Sequence, residues 1–263
     1  MMGAQDMSET IVDRRPDLAF PCEICRVRPA MEDDILCREC SDSYAALLKS
    51  TTPLGAMNIA IIDSFLKGLK TACDEISREA VEAAAALLLN AWKTRRTVFV
   101  IGNGGSASTA THLACDLAKN VSGDAPGIKA MALGDNVPLC SALTNDNGFD
   151  NIYVEQLKVW LEKDDVLIAL SVHGGSGRDK ADVWSQNLIK AISFAKSRGA
   201  RTIGITGFDG GIMRDMVDVW INTPSKETFQ VEPLHVIVHH VLCEALKRRI
   251  VGYTENLHHK FPQ

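Results

Sequence analysis

Between residues 56 and 95 apolar side chains recur at helical spacing. Ile59, Ile62, Phe65, Leu66 and Leu69 mark one helix, and the alanine- and leucine-rich run Ala80–Trp92 marks a second. From residue 97 the pattern changes to short β-branched runs separated by helical stretches. The predicted strands are Thr97–Ile101, Ile128–Leu133, Val166–Ser171, Thr202–Thr206 and Val217–Asn222, with helices near 106–119, 150–161, 183–198 and 232–249. Strands rich in Val and Ile that alternate with helices form a parallel sheet covered on both faces. The expectation is an α/β fold, a doubly wound five-stranded parallel sheet with leading helices. Ligands of such sheets bind at the carboxyl ends of the strands.

Three predicted strand ends carry glycine: Gly102-Asn103-Gly104-Gly105-Ser106, Gly174-Gly175-Ser176-Gly177 and Gly207-Phe208-Asp209-Gly210-Gly211. Glycine lets the backbone turn sharply and approach a ligand, and the helix start beyond it offers N–H groups to an anion. Tight strand-to-helix turns need glycine in any case, so one such loop says little. Two that also present serine, on strands expected to be neighbours, point to a phosphate cradle. The third reads as a plain turn. None fits the nucleotide patterns G-x-x-x-x-G-K-[ST] or G-x-G-x-x-G.

Two helices carry residues suited to chemistry. His112 and Asp116, four apart, project together about one turn below the first glycine loop. That spacing also fits a plain exposed pair. Late in the chain, Glu232-Pro233-Leu234-His235 opens a helix that continues to His239-His240. Pro233 suits the first helical position, which puts Glu232 near the N-cap. Leu234, Val238, Val241 and Ala245 form a stripe for the core, with His239 at its edge and His240 pointing away. His112, Asp116, Glu232 and His240 thus make either an acid/base set or a metal site.

Eight cysteines are unevenly placed. Cys22, Cys25, Cys37 and Cys40 form two C-x2-C pairs separated by eleven residues, the spacing of a tetrahedral four-thiolate zinc site. A disulfide pair or an iron centre on the same ligands are the alternatives. So short a segment has little core, and the metal would supply much of its folding free energy. Residues 1–50 hold six Lys/Arg against ten Asp/Glu, and a four-thiolate zinc adds about −2 more. Such a module repels phosphate backbones, and the whole chain is at −5, so nucleic acid is not an expected partner. Neither a bilayer-length apolar run nor a signal-peptide core is evident, and the expected location is cytoplasmic, without a membrane.

Several runs together resemble a known family. Gly102-Asn-Gly-Gly-Ser-Ala107 with His112, Asn145-Asp-Asn-Gly-Phe-Asp150, Asp165–Ser171, Ile205–Gly211 and His235…His240-x-Leu-Cys-Glu244 are similar, in order, to the phosphoheptose isomerases of the sugar isomerase (SIS) fold. The resemblance covers about 57–250 and implies a flavodoxin-like strand order. It divides the chain into a tail at 1–20, a zinc-ribbon-like module at 21–50 and an SIS domain at 56–255. It implies interconversion of a ketose phosphate and an aldose phosphate, most readily sedoheptulose 7-phosphate, in a homotetramer with active sites between subunits. By motif, Asp116 stands for the family's glutamate base and His240 for its histidine acid. Asn103, Gly104, Gly105, Ser106, Asp135, Ser171, His173, Gly174, Gly175, Ser176 and Thr228 fall at substrate and phosphate positions. His112, Asp116, Glu232 and His240 resemble the zinc site of some members, which would add a second Zn²⁺ to the four-cysteine one.

This chain departs from the family at several points. Asp116 is one methylene shorter than glutamate, Glu232 replaces a glutamine, and Asn120 replaces a substrate-contacting arginine. In the second loop Val172 and His173 replace hydroxyl residues, and an insertion follows near Arg178–Trp184. Two further readings therefore stay open: a non-catalytic SIS module that senses a phosphosugar or organises a partner, and an isomerase of a different sugar phosphate. For His173 itself, a hydrogen bond to phosphate and a stack on the inserted segment are equally compatible with the sequence.

Overall fold

The computed structural model describes residues 54–175 and 184–260, together with Arg38, Cys40 and Asp42. Cys22, Cys25, Cys37 and Ser176 lie outside the described residues; Cys40 is half-buried. The chain divides into two compact units, Met1–Ile62 and Asp63–Gln263. The division falls inside the first described helix, α1 (Leu54–Glu75).

The second unit follows α1 with α2 (Arg78–Lys93), β1 (Thr97–Gly102), α3 (Gly105–Lys119), β2 (Lys129–Ala132), α4 (Val137–Asn147), a 3-10 turn (Phe149–Asn151), α5 (Ile152–Trp160) and β3 (Val166–Ser171). Then come α6 (Gln186–Ser197), β4 (Arg201–Thr206), the short α7 (Met213–Met216), β5 (Val219–Asn222) and the long α8 (Thr228–Lys260). All five strands are parallel, in the order β2-β1-β3-β4-β5. This is the flavodoxin-like order expected from the sequence.

Strand side chains alternate between faces with a period of two. Val98, Val100, Ile168, Leu170, Ile203 and Ile205 therefore pack with Leu88 of α2, Leu113 and Leu117 of α3 and Leu234, Val238 and Leu242 of α8. Phe99, Ile101, Leu167 and Ala169 pack on the opposite face with Leu157 of α5 and Leu188 and Ile192 of α6. Each of these leucines is fully buried, worth roughly 1.5–3 kcal/mol in transfer free energy. Because α3 and α8 share one face, side chains on them can meet.

Four details differ from the sequence reading. The helix α4 was not expected; none of its residues is buried, so it has no apolar stripe to read. Asn136 caps it, its side chain accepting from the Leu139 N–H. Ile59, Ile62 and Leu66 of α1 are exposed, whereas Leu69, Ala72 and Cys73 pack on the core. Pro233 does not open α8. The helix starts at Thr228, and the Glu227 carbonyl accepts from the N–H groups of Gln230 and Val231. Pro233 costs only the bond to the Phe229 carbonyl, in a turn where the Phe229 side chain is exposed. Finally, Val241 is exposed, and the buried stripe of α8 runs through Val231, Leu234, His235, Val238, His239, Leu242 and Leu246.

Candidate active site

The strand order reverses between β1 and β3, since β1 leads to β2 on one side and β3 continues on the other. The crevice at such a switch point is where open α/β sheets bind ligands. The first glycine loop and the described part of the second, Ser171–Gly175, flank it. Asn103, Ser106, Ser171, Val172, His173, Gly175 and Trp184 line a cavity of about 190 Å³ there. None of the described residues lining it is Lys or Arg, and those residues offer an anion neutral dipoles.

Main-chain geometry builds this cradle. Gly174 has φ +66°, and a Cβ there would sit 1.9 Å from the Gly210 carbonyl oxygen. Its N–H donates to Ser171 Oγ (3.1 Å) and its carbonyl accepts from the Met213 N–H (3.0 Å). Of the two N–H groups expected for the anion, that of Gly174 is thus already committed to Ser171. The third glycine loop, read as a plain turn, buttresses the second. On the other side, the side-chain amides of Asn103 and the fully buried Asn187 exchange two hydrogen bonds of 3.0 and 2.8 Å. Behind β1, the buried Tyr153 hydroxyl donates to the Gly102 carbonyl, and burial pushes its pKa up to about 12.

The His173 ring packs at a tilt against Phe208 (centroids 4.2 Å apart, planes at 48°) and beside Trp184 (5.5 Å) at the cavity wall. Asp135 and Thr228 are not among the residues around this cavity. Asp135 accepts from Thr111 Oγ1 at a separate cavity of about 520 Å³, and Thr228 is exposed at the start of α8.

Further along α3, on the face shared with α8, four side chains converge. One ligand atom from each of His112, Asp116, His239 and His240 lies within 4.8 Å of the others. His112 and Asp116 meet because they are four apart on α3, as their spacing implied. Asp116 Oδ2 is 3.5 Å from His112 Nε2, 3.7 Å from His240 Nε2 and 2.7 Å from His239 Nε2. Its Oδ1 accepts from Asn120 Nδ2 at 2.7 Å. Asp116 and His239 are buried, while the side chains of His112 and His240 are about half exposed and face outward. Burial opposes ionisation of Asp116, but the hydrogen bonds from His239 and Asn120 and the nearby imidazoles hold its pKa below the usual value. Burial lowers that of His239, so the ring is neutral near pH 7.

Glu232 is not in this cluster. It is partly buried with its carboxylate against Gly105 at the start of α3, where a Cβ would come within 2.4 Å of Oε1. His239 and Asn120 are the site residues that sequence reasoning passed over. A helical wheel places His239 only at the edge of the apolar stripe, and Asn120 reads merely as a lost arginine.

The cluster suits a divalent transition metal. A tetrahedral zinc with bonds of about 2.0–2.1 Å separates its donors by about 3.3 Å. The separations of 3.5 and 3.7 Å from Asp116 to His112 and His240 lie near that value.

Comparison with known proteins agrees with this layout. The SIS domain family matches residues 64–207. Lincomycin biosynthesis protein LmbN of Streptomyces lincolnensis is 42% identical over 210 residues, covering 77% of this chain and 73% of that protein. The phosphoheptose isomerase of Geotalea daltonii is 34% identical over 191 residues, covering 73% of this chain and 94% of that protein. The structure of phosphoheptose isomerase GmhA from Neisseria gonorrhoeae superimposes with a TM-score of 0.65 at 27% identity, over 74% of this chain and 99% of that one. The chain belongs to the SIS-domain family, among the phosphoheptose isomerases.

Proposed function

We propose that this protein is an aldose–ketose isomerase acting on sedoheptulose 7-phosphate and forming a heptose 7-phosphate. The observation that carries this reading is the placement of a phosphate-sized cradle and an ionised carboxylate on one helix. Ser106 and Asp116 are ten residues apart on α3, about 15 Å along its axis. Both side chains lean the same way along the helix, so the cradle and the carboxylate act on opposite ends of an elongated substrate.

In this reading Asn103, Ser106, Ser171 and the glycine loops hold the phosphate. Asp116 removes the acidic proton beside the carbonyl and returns it to the adjacent carbon. His240, half exposed at the open side of the cluster, protonates the developing enediolate oxygen. His112, Asp116 and His240 would hold a zinc ion, which when bound would supply Lewis-acid polarisation of the carbonyl. Glu232 stays out of that ligand set and supports the start of α3. A cytoplasmic homotetramer completes the proposal, with active sites between subunits. The outward-facing His112 and His240 support it, as does an apolar groove of about 460 Å³ lined by Ile76, Val81, Ile237 and Val241. No described helix is long and apolar enough to cross a membrane. We assign the four cysteines of residues 21–50 to a structural zinc that serves assembly or a partner, on their spacing alone.

The test follows sedoheptulose 7-phosphate by NMR with metal-replete protein. Turnover is expected in the wild type. In Asp116→Asn it should fall by about 10²–10⁴-fold, with phosphosugar affinity retained. Absence of wild-type turnover would refute the reading. Val172, His173 and Asn120 favour one second reading, an isomerase of a different sugar phosphate, and turnover of another ketose phosphate alone would establish it.

A further inference from the structure

We infer that His239 is a positioning residue: it donates through Nε2 to Asp116 Oδ2 from inside the core and, with Asn120 on Oδ1, clamps a carboxylate that His112 and His240 alone approach as fellow ligands. The inference deepens the proposed reading and rests on its site.

Distance separates the three histidines. His112 and His240 stand 3.5 and 3.7 Å from Asp116 Oδ2, near the edge of a zinc tetrahedron. His239 stands 2.7 Å away, a hydrogen-bond length too short for two donors of one ion. Exposure separates them the same way. His112 and His240 are about half exposed and can reach an ion and a substrate, whereas the His239 side chain has no solvent access.

Accounting for the ring nitrogens fixes the tautomer. The Nδ1 of His239 is buried and has no hydrogen-bond partner among the described residues. A proton there would be a buried, unsatisfied donor, the costlier arrangement. The proton therefore sits on Nε2, where Asp116 accepts it. Ligating carboxylates are commonly held by such outer hydrogen bonds, which typically contribute 10–100-fold to metal affinity or activity. Here the clamp answers a need particular to this chain. A carboxylate on the short aspartate stem has to be fixed by its surroundings, and both of its oxygens are.

Two variants and a direct observation test this. His239→Gln keeps an N–H donor near the Nε2 position, and His239→Leu removes it. With Co²⁺ as probe, His239→Leu should bind at least tenfold more weakly, and its kcat on sedoheptulose 7-phosphate should fall at least tenfold with KM within about threefold. His239→Gln should recover most of both. If His239→Gln loses the ion as fully as His239→Leu while both stay folded by circular dichroism, His239 is itself a ligand and the inference is wrong. Wild-type behaviour of His239→Leu would also overturn it. Long-range ¹H–¹⁵N spectra of the metal-free protein need neither ion nor substrate. An Nε2–H tautomer for His239, assigned by its loss in His239→Gln, is expected, and an Nδ1–H tautomer overturns the inference. This last measurement stands even if sedoheptulose 7-phosphate is not turned over.

Discussion

The proposed phosphate cradle, at the start of α3, and the histidine–aspartate cluster further along it are built by opposite means. The cradle is shaped by main chain: glycines at positive φ values that side-chain-bearing residues rarely adopt, carbonyls and N–H groups bonded across three loops, and two amides locked together. The cluster is made of side chains, each placed by its position on α3 or α8 and tied to Asp116 by a specific distance. Main-chain architecture survives exchange of the side chains it carries, which is how Val172 and His173 can occupy the proposed phosphate loop. A side-chain cluster has no such tolerance. When its central carboxylate shortens, the groups around it have to hold it.

Changing the backbone of the cradle should have the largest effect on it. Gly174→Ala puts a Cβ against the Gly210 carbonyl at a left-handed φ. A destabilisation of about 2–5 kcal/mol in urea unfolding is expected, with phosphate binding lost. Gly104→Ala meets nothing within 4 Å, so only its backbone strain (φ +56°, ψ −126°) should count, at about 1–3 kcal/mol. Equal costs for the two would remove the argument that loop-to-loop contact shapes the cradle.

On the cluster side, His235 is the useful contrast. It lies one turn before His239 on the same buried stripe, yet among the described residues its ring nitrogens have no close partner beyond a loose approach to the Thr206 main chain. Burial, only partly offset by the nearby Thr206 main chain, pushes its pKa down to about 4 from 6.5. The unfolded chain takes up a proton below pH 6.5 that the folded ring refuses. Stability from this group is therefore complete above pH 6.5 and falls as pH drops toward 4, by about 3 kcal/mol in all. Denaturation at pH 7 and pH 4.5 should show His235→Leu with a shallower loss than wild type and little change in metal affinity. A large loss of metal affinity would join His235 to the cluster and erase the contrast.

The smallest effect is expected from Val172→Ser, which restores a hydroxyl to the loop. One net hydrogen bond is worth about 1 kcal/mol, so phosphosugar affinity by calorimetry should rise by no more than about fivefold. A gain of a hundredfold would mean that side chains, not backbone, govern the cradle.

Where packing imposes a period on the sequence, the structure was legible. The strands and the two-faced sheet followed from runs such as Val166–Leu170, and the juxtaposition of His112 and Asp116 followed from helix geometry. The helix α4 left no trace because it buries nothing, and Pro233 misled because a proline six residues into a helix removes a bond only at its exposed end. His239, Asn120 and Asn187 act through partners far off in sequence or through hydrogen bonds that no periodicity encodes. His173 meets Phe208, delivered by the loop after β4, a neighbour that neither reading of the sequence included.

The bond from Tyr153 to the Gly102 carbonyl carries one more consequence. It pins the last residue of β1 from the face opposite the cluster, just where the chain turns into the cradle. A loop already fixed at its root has little freedom left to surrender when an anion arrives. Its ordering entropy is then lost during folding rather than during binding, which leaves more of what the dipoles of the described wall residues offer an anion to appear as affinity.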